Sequence, residues 1–250
     1  MIPKGLGYGC PHQRAKDDPT WYATARKRLG EDRPWYNWLN DQTHQETYTP
    51  MLWRCNPVNV ANYAVAAAML DAPLFLLGNE PENPKQSNTS PQDFADAVVM
   101  WRQQVPGMIA LPGVYFDDAK WGKKWMQEYV RLGGPMPDVW AVHMYQPYQH
   151  QWDNSFPLML DYLRSIKDLP VLLTECGGSY NDEECILSVM DCVKQAVRSG
   201  DVRAAYWFSA YYEADLPFND LLTHDGKLTP IGKEFVKEQY TVYIPQVTKA

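Results

Sequence analysis

The sequence has no GxGxxG, no GxxxxGK and no GxSxG. This removes the glycine cradles that hold dinucleotides and nucleoside triphosphates, and the nucleophile elbow of serine hydrolases. Gly5, Gly7 and Gly9 come nearest, but Cys10-Pro11 follows where a dinucleotide site needs a helix start. Cysteine is sparse. The five, Cys10, Cys55, Cys176, Cys185 and Cys192, form no CxxC and no zinc-ligand spacing, which argues for free thiols. Cys185 and Cys192, two turns apart in a helical pattern, lie about 10 Å from each other, beyond disulfide reach. Positive charge is in deficit: the net charge of -7 argues against nucleic-acid and anionic-membrane partners, which a basic surface would serve. No apolar run approaches a membrane span, and Met1-Ile2-Pro3-Lys4-Gly5 lacks a secretory apolar core. The expectation is a secreted protein whose signal peptide is not part of this sequence, with a cytoplasmic location left open.

What the chain has instead is aromatic surface and two matching carboxylate stretches. Ten tryptophans and sixteen tyrosines exceed what packing usually calls for, and several fall beside polar residues at strand ends. The first stretch, Pro73-Leu74-Phe75-Leu76-Leu77-Gly78-Asn79-Glu80-Pro81-Glu82, is a short apolar run that breaks into a polar turn. The second, Leu169-Pro170-Val171-Leu172-Leu173-Thr174-Glu175-Cys176-Gly177-Gly178, repeats the plan. Runs of this length bounded by proline and glycine are strands buried on both faces, as in parallel sheets.

Along the chain, strand patterns at residues 4–9, 34–40, 48–54, 73–80, 108–113, 138–145, 169–176 and 202–209 alternate with helical ones at 20–29, 59–70, 90–104, 121–132, 157–167, 182–199 and 229–240. Ser90-Pro91-Gln92-Asp93 is an N-cap with proline at the first helical position, Thr20 is a candidate cap, and Gly200 is a helix stop. Eight strands at intervals of about 30 residues imply right-handed crossovers and an α/β fold, a single (β/α)8 barrel of one domain over residues 1–250. An open doubly wound sheet is the alternative fold.

In such a barrel all strand ends open on one face, so Asn79, Glu80, His143, Tyr145, Glu175 and Trp207 are expected to converge there. Trp38, Trp53 and Tyr8 also fall at strand ends and are candidates to line the cleft, with Tyr148, Trp152, Tyr211 and Tyr212 in nearby loops. Two facing carboxyls can cleave a glycosidic bond, one protonating the leaving oxygen and the other stabilising or attacking the sugar centre. Two rivals share these residues. A metal-dependent sugar isomerase would use Glu80, Glu175 and His143 as ligands, and a non-catalytic carbohydrate-binding barrel would keep the aromatic platforms while losing a carboxylate.

Gly78-Asn79-Glu80-Pro81, His143-x-Tyr145, Thr174-Glu175 and the Trp207 strand together resemble the clan A retaining glycoside hydrolases. With Asp225-Gly226-Lys227-Leu228-Thr229-Pro230-Ile231-Gly232, the chain is most similar to glycoside hydrolase family 128, compact barrels acting on β-1,3-glucan. The resemblance implies Glu80 as general acid/base and Glu175 as nucleophile. It also implies Asn79 on the sugar 2-hydroxyl, Tyr145 donating to Glu175 and Trp207 as the floor of the cleavage subsite. It implies further a polysaccharide or oligosaccharide substrate; endo action, a monomer and no cofactor or metal are the accompanying expectations. A β-1,4-linked polymer, as for a cellulase or mannanase, is the alternative substrate. The chain departs from the family at Met144, where a tryptophan is usual nearby.

Overall fold

The computed structural model describes residues 5–9, 20–38, 47–116, 121–179, 182–211 and 219–237. Eight parallel strands, β1 (Gly5–Gly9), β2 (Trp35–Tyr36), β3 (Met51–Leu52), β4 (Leu74–Leu77), β5 (Met108–Tyr115), β6 (Val139–Gln146), β7 (Val171–Gly178) and β8 (Ala204–Trp207), pair in the order β2-β1-β8-β7-β6-β5-β4-β3. The ends of this order are sewn together by Trp35, whose N–H donates to Thr47 at 3.0 Å and whose carbonyl accepts from Thr49 at 2.9 Å. Among the described residues seven helices flank the strands: α1 (Trp21–Leu29), α2 (Pro57–Ala68), α3 (Pro91–Gln104), α4 (Trp121–Arg131), α5 (Gln149–Ile166), α6 (Glu183–Ser199) and α7 (Pro230–Lys237). This is the expected (β/α)8 barrel, and none of these helices is long and apolar enough to cross a membrane.

Alternation along the strands divides the apolar residues into two layers. Tyr36, Met51, Leu74, Leu76, Ala110, Val139, Ala141, Leu172, Ala204 and Tyr206 fill the barrel interior. Their neighbours, such as Phe75, Leu77, Leu111, Val142 and Leu173, pack outward beneath the helices. Trp101 and Trp125 belong to this outer layer, as helical tryptophans should.

Local chemistry sets the helix ends. Ser90 accepts from the Asp93 N–H and Asp182 from the Cys185 N–H, and Gly200 takes the left-handed conformation that stops α6. Two expectations are corrected. Thr20 stands before α1 but makes no side-chain cap. α5 begins at Gln149 and carries Pro157 inside it, because Trp152, Phe156, Met159, Leu160 and Leu163 form one buried stripe, and burying that stripe outweighs the hydrogen bond proline removes. Trp152 is therefore a core residue stacked on Phe156, and not a loop aromatic. Cys55, Cys176, Cys185 and Cys192 are free thiols, while Cys10 and Tyr212 lie outside the described residues.

Candidate active site

Glu80 and Glu175 reach the barrel mouth through two different irregularities. After β4, Gly78 turns the chain with φ +88, and Glu80 takes φ +44, a conformation that non-glycine residues seldom adopt. The turn is held by the Glu80 N–H, which donates to Gly113 on β5 at 2.9 Å. Gly113 has φ +66, and a Cβ there would meet the Gly78 carbonyl at 2.6 Å, so this close approach of two backbones requires glycine. On β7 the register against β6 shifts, with Val142 facing Leu173 but His143 facing Glu175. The extra residue, Thr174, is a bulge that reverses the alternation and turns Glu175 inward, where strict alternation from Leu172 would point it at the helices.

His143, fully buried, stands between the two acids. Its Nδ1 is 3.2 Å from Glu80 Oε1 and 3.4 Å from Glu175 Oε2. An oxygen of Glu80, an oxygen of Glu175 and a His143 nitrogen all lie within 4.8 Å of one another. Glu175 is ringed by donors. Tyr145 O–H reaches Oε2 at 2.8 Å and Trp38 Nε1–H reaches Oε1 at 2.9 Å, while the Tyr36 hydroxyl, which donates to the Thr174 carbonyl at 2.5 Å, lies 3.4 Å from Oε1. Glu80 has His143 and the Asn83 amide, 2.8 Å from Oε2. The Trp38 N–H is shared with Asn79 Oδ1 at 3.1 Å, which aims the other end of that amide, Nδ2, toward Gln86 at 3.4 Å.

Burial and charge act on these groups together. Burial pushes the Glu175 carboxyl up, and the facing Glu80 adds to this, so it stays above the ordinary carboxylate range despite His143 and its donors. Burial acts on Glu80 too, but the hydrogen bond and charge of His143, with the Asn83 amide, bring it below that range. Burial alone would lower His143, and the charges of Glu175, Glu80 and Glu82 hold it above its ordinary value instead. Tyr36 and Tyr145 are pushed up, first by burial and then by Glu175, so both remain O–H donors.

The mouth gathers most of the residues expected there and leaves two out. Asn79, Glu80, His143, Tyr145, Glu175 and Trp38 are in contact, and half-buried Trp53 packs on the interior side with the Arg54 guanidinium 5.7 Å from its ring centre. Trp207 and Tyr8, expected to line the cleft, do not. Trp207 is wholly buried in the outer layer, its indole N–H donating to the Asn219 carbonyl at 2.9 Å. Tyr8 also faces outward, against Phe235 of α7. The alternation that brings Tyr206 into the interior turns Trp207 away, and Phe208, one residue on, presents its ring against Trp38 and Tyr145. Tyr36, Asn83 and Phe208 were missed. Period-two spacing from Trp38 would have found Tyr36, and the other two adjoin residues already singled out.

The sequence matches the glycosyl hydrolase catalytic core family over residues 12–235. The chain belongs to that family. No curated protein matches. Among solved structures, a family 128 subgroup II endo-β-1,3-glucanase from Sorangium cellulosum is 21% identical, with TM-score 0.70 over 94% of this chain and 98% of its own. A subgroup I endo-β-1,3-glucanase variant from Amycolatopsis mediterranei, complexed with laminarihexaose, is 18% identical, with TM-score 0.72 over 95% and 100%. A subgroup VI exo-β-1,3-glucanase from Aureobasidium namibiae is 16% identical, with TM-score 0.71 over 94% and 96%. At these identities the likeness establishes the barrel, and the family match establishes this hydrolase as acting on glycosidic bonds.

Proposed function

We propose that this glycosyl hydrolase is an endo-β-1,3-glucanase that cleaves with retention of configuration, using Glu80 as general acid/base and Glu175 as nucleophile. The observation that carries the reading is the facing carboxylate pair, with oxygens within 4.8 Å. A separation of about 5 Å suits direct attack by one carboxylate, whereas inversion needs room for a water between them. The β-1,3-glucan assignment is supported by the strand-end motifs and by the family 128 glucanases that share the barrel over nearly the whole chain.

Glu175 accepts from Tyr145 and Trp38, which fix its orientation and favour its charged form. Glu80 needs a proton at the start of the cycle. That proton is already in the site, on His143, and moving it across the 3.2 Å Nδ1–Oε1 contact gives neutral His143 and protonated Glu80 with no change in total charge. As the glycosidic bond breaks, Glu80 gives its proton to the leaving oxygen and Glu175 bonds to the sugar. With the charge on Glu175 gone, Glu80 then takes a proton from water, which displaces Glu175. Asn79, its Oδ1 anchored by Trp38, has Nδ2 to offer the sugar 2-hydroxyl once Gln86 is displaced. Half-exposed Trp38, Trp53 and Phe208 supply apolar faces for sugar rings.

Glu80, His143 and Glu175 would also fit a metal-dependent isomerase as ligands, but both Glu175 oxygens already accept O–H or N–H donors, which favours the nucleophile reading. The test is sugar release from β-1,3-, β-1,4- and mixed-linked glucans and mannan, with and without chelator, followed by product sizing. Chelator-resistant cleavage of β-1,3-glucan into mixed oligosaccharides supports the proposal. Cleavage of another polymer overturns the linkage, release of one short product overturns endo action, and binding without turnover overturns the catalytic roles.

A further inference from the structure

Beside the pair lies a third acid that the mechanism above does not use. Glu82 follows Glu80 by two residues, and its side chain is turned inward. Oε1 accepts the backbone N–H of Tyr115 at 2.7 Å, while Oε2 is buried and has no hydrogen-bond partner. A buried carboxylate oxygen without a donor is costly, so this side chain is held where solvent exposure would serve it better. What it holds is the end of β5. The Tyr115 ring stacks on Tyr145, centroids 6.0 Å apart and planes 25° apart, and Tyr145 is the residue that donates to Glu175. The turn that carries Glu80 thus reaches Glu175 through three contacts and two intervening residues, Tyr115 and Tyr145.

We propose that Glu82 is a positioning residue of this active site: its carboxyl pins the Tyr115 backbone, and through the Tyr115–Tyr145 stack it sets the aim of the Tyr145 hydroxyl on Glu175. One turn then bears the proton donor and also braces the opposite carboxylate. The inference rests on the proposed role of Glu175 as nucleophile. Glu82 also acts by charge. Burial pushes its carboxyl up to about 7, the facing Glu80 adds to this, and the backbone N–H donors and His143 oppose it. The charged groups around it are Glu80 on its own turn, His143 on β6 and Glu175 beyond that, and the negative charge of Glu82 helps keep His143 protonated.

Two substitutions separate the strut from the charge. Glu82→Ala removes the contact to Tyr115. Glu82→Gln keeps an acceptor oxygen for that N–H and removes only the charge. Crystal structures come first, because they need no substrate. Glu82→Ala should lose the 2.8 Å Tyr145–Glu175 contact and Glu82→Gln should keep it. An unchanged contact in Glu82→Ala overturns the proposal even if Glu175 is the nucleophile. Loss of that contact with wild-type activity in both Glu175→Gln and Glu80→Gln upholds the strut and overturns the catalytic assignment instead. In kinetics, Glu82→Ala and Tyr115→Leu should each lower kcat on the order of 10- to 100-fold with KM little changed. The double variant should be no worse than the poorer single, and effects that multiply would mean separate routes. Imidazole titration by NMR should show His143 losing its proton at lower pH in Glu82→Gln and unmoved in Tyr115→Leu. The opposite pattern overturns the electrostatic part.

Discussion

Glu80 and Glu175 occupy one mouth but are built in opposite ways. Glu175 sits within a strand, rotated inward by a bulge, with Tyr145 and Trp38 fixing its oxygens and Tyr36 holding the backbone of Thr174 beside it. Glu80 lies beyond its strand, in a turn that requires Gly78 and Gly113 and strains its own backbone, with two partners that a substrate can displace or exchange a proton with. The comparison teaches a division of labour. It fits the proposed roles: the carboxylate proposed to attack carbon is held by more donors, and the one proposed to take and release a proton has a looser set.

The largest break in this comparison comes from removing each acid. Glu175→Ala should lower kcat by about 10⁴-fold or more on every substrate. Glu80→Gln should cost about 10²- to 10⁴-fold on glucan, and much less on an aryl glycoside whose leaving group needs no proton. Equal losses on both substrates would erase the distinction between the two acids.

A sharper test is the pH profile. As pH falls, Glu175 gains a proton and stops attacking, and because its carboxyl lies above the ordinary range, the acid limb should too. As pH rises, the site loses the proton shared by His143 and Glu80, and since His143 is raised, the alkaline limb should fall above pH 6.5. Trp38→Phe keeps an aromatic ring but removes the N–H shared by Glu175 and Asn79. Activity should drop on the order of 10- to 100-fold. With one donor gone the charged form is less favoured, so the acid limb should move to higher pH. Movement to lower pH would mean Trp38 does not stabilise the charge.

The smallest effect expected is on stability. Gly113→Ala puts a Cβ 2.6 Å from the Gly78 carbonyl at a positive φ, and should cost about 1–3 kcal/mol in denaturant unfolding. Activity should fall as well, because the Gly113 carbonyl accepts the Glu80 N–H that holds the turn.

How far the sequence foretold this follows from where patterns carry information. Apolar runs ending in Asn79-Glu80 and Thr174-Glu175 located both acids, since a buried strand that surfaces in polar residues marks the barrel mouth. His143 and Tyr145 followed by alternation. Trp207 did not, because Ala204-Ala205-Tyr206-Trp207-Phe208 is apolar on both faces and nothing in it says which side is inward. The Thr174 bulge is equally silent, so the inward turn of Glu175 was reached from its place at the strand end and not from counting. Pro157 suggested a helix start, and only the buried stripe across it shows why the helix continues. Tyr8 fell at a strand end but on its outer face.

The most direct test of the central claim is to trap the intermediate. A 2-deoxy-2-fluoro glucosyl or laminaribiosyl reagent with a good leaving group should inactivate the enzyme, and peptide mapping should find the sugar on the fragment containing Glu175, while NMR of early hydrolysis shows the β-anomer forming first. Sugar on Glu80, or an α-anomer first product, would contradict the account.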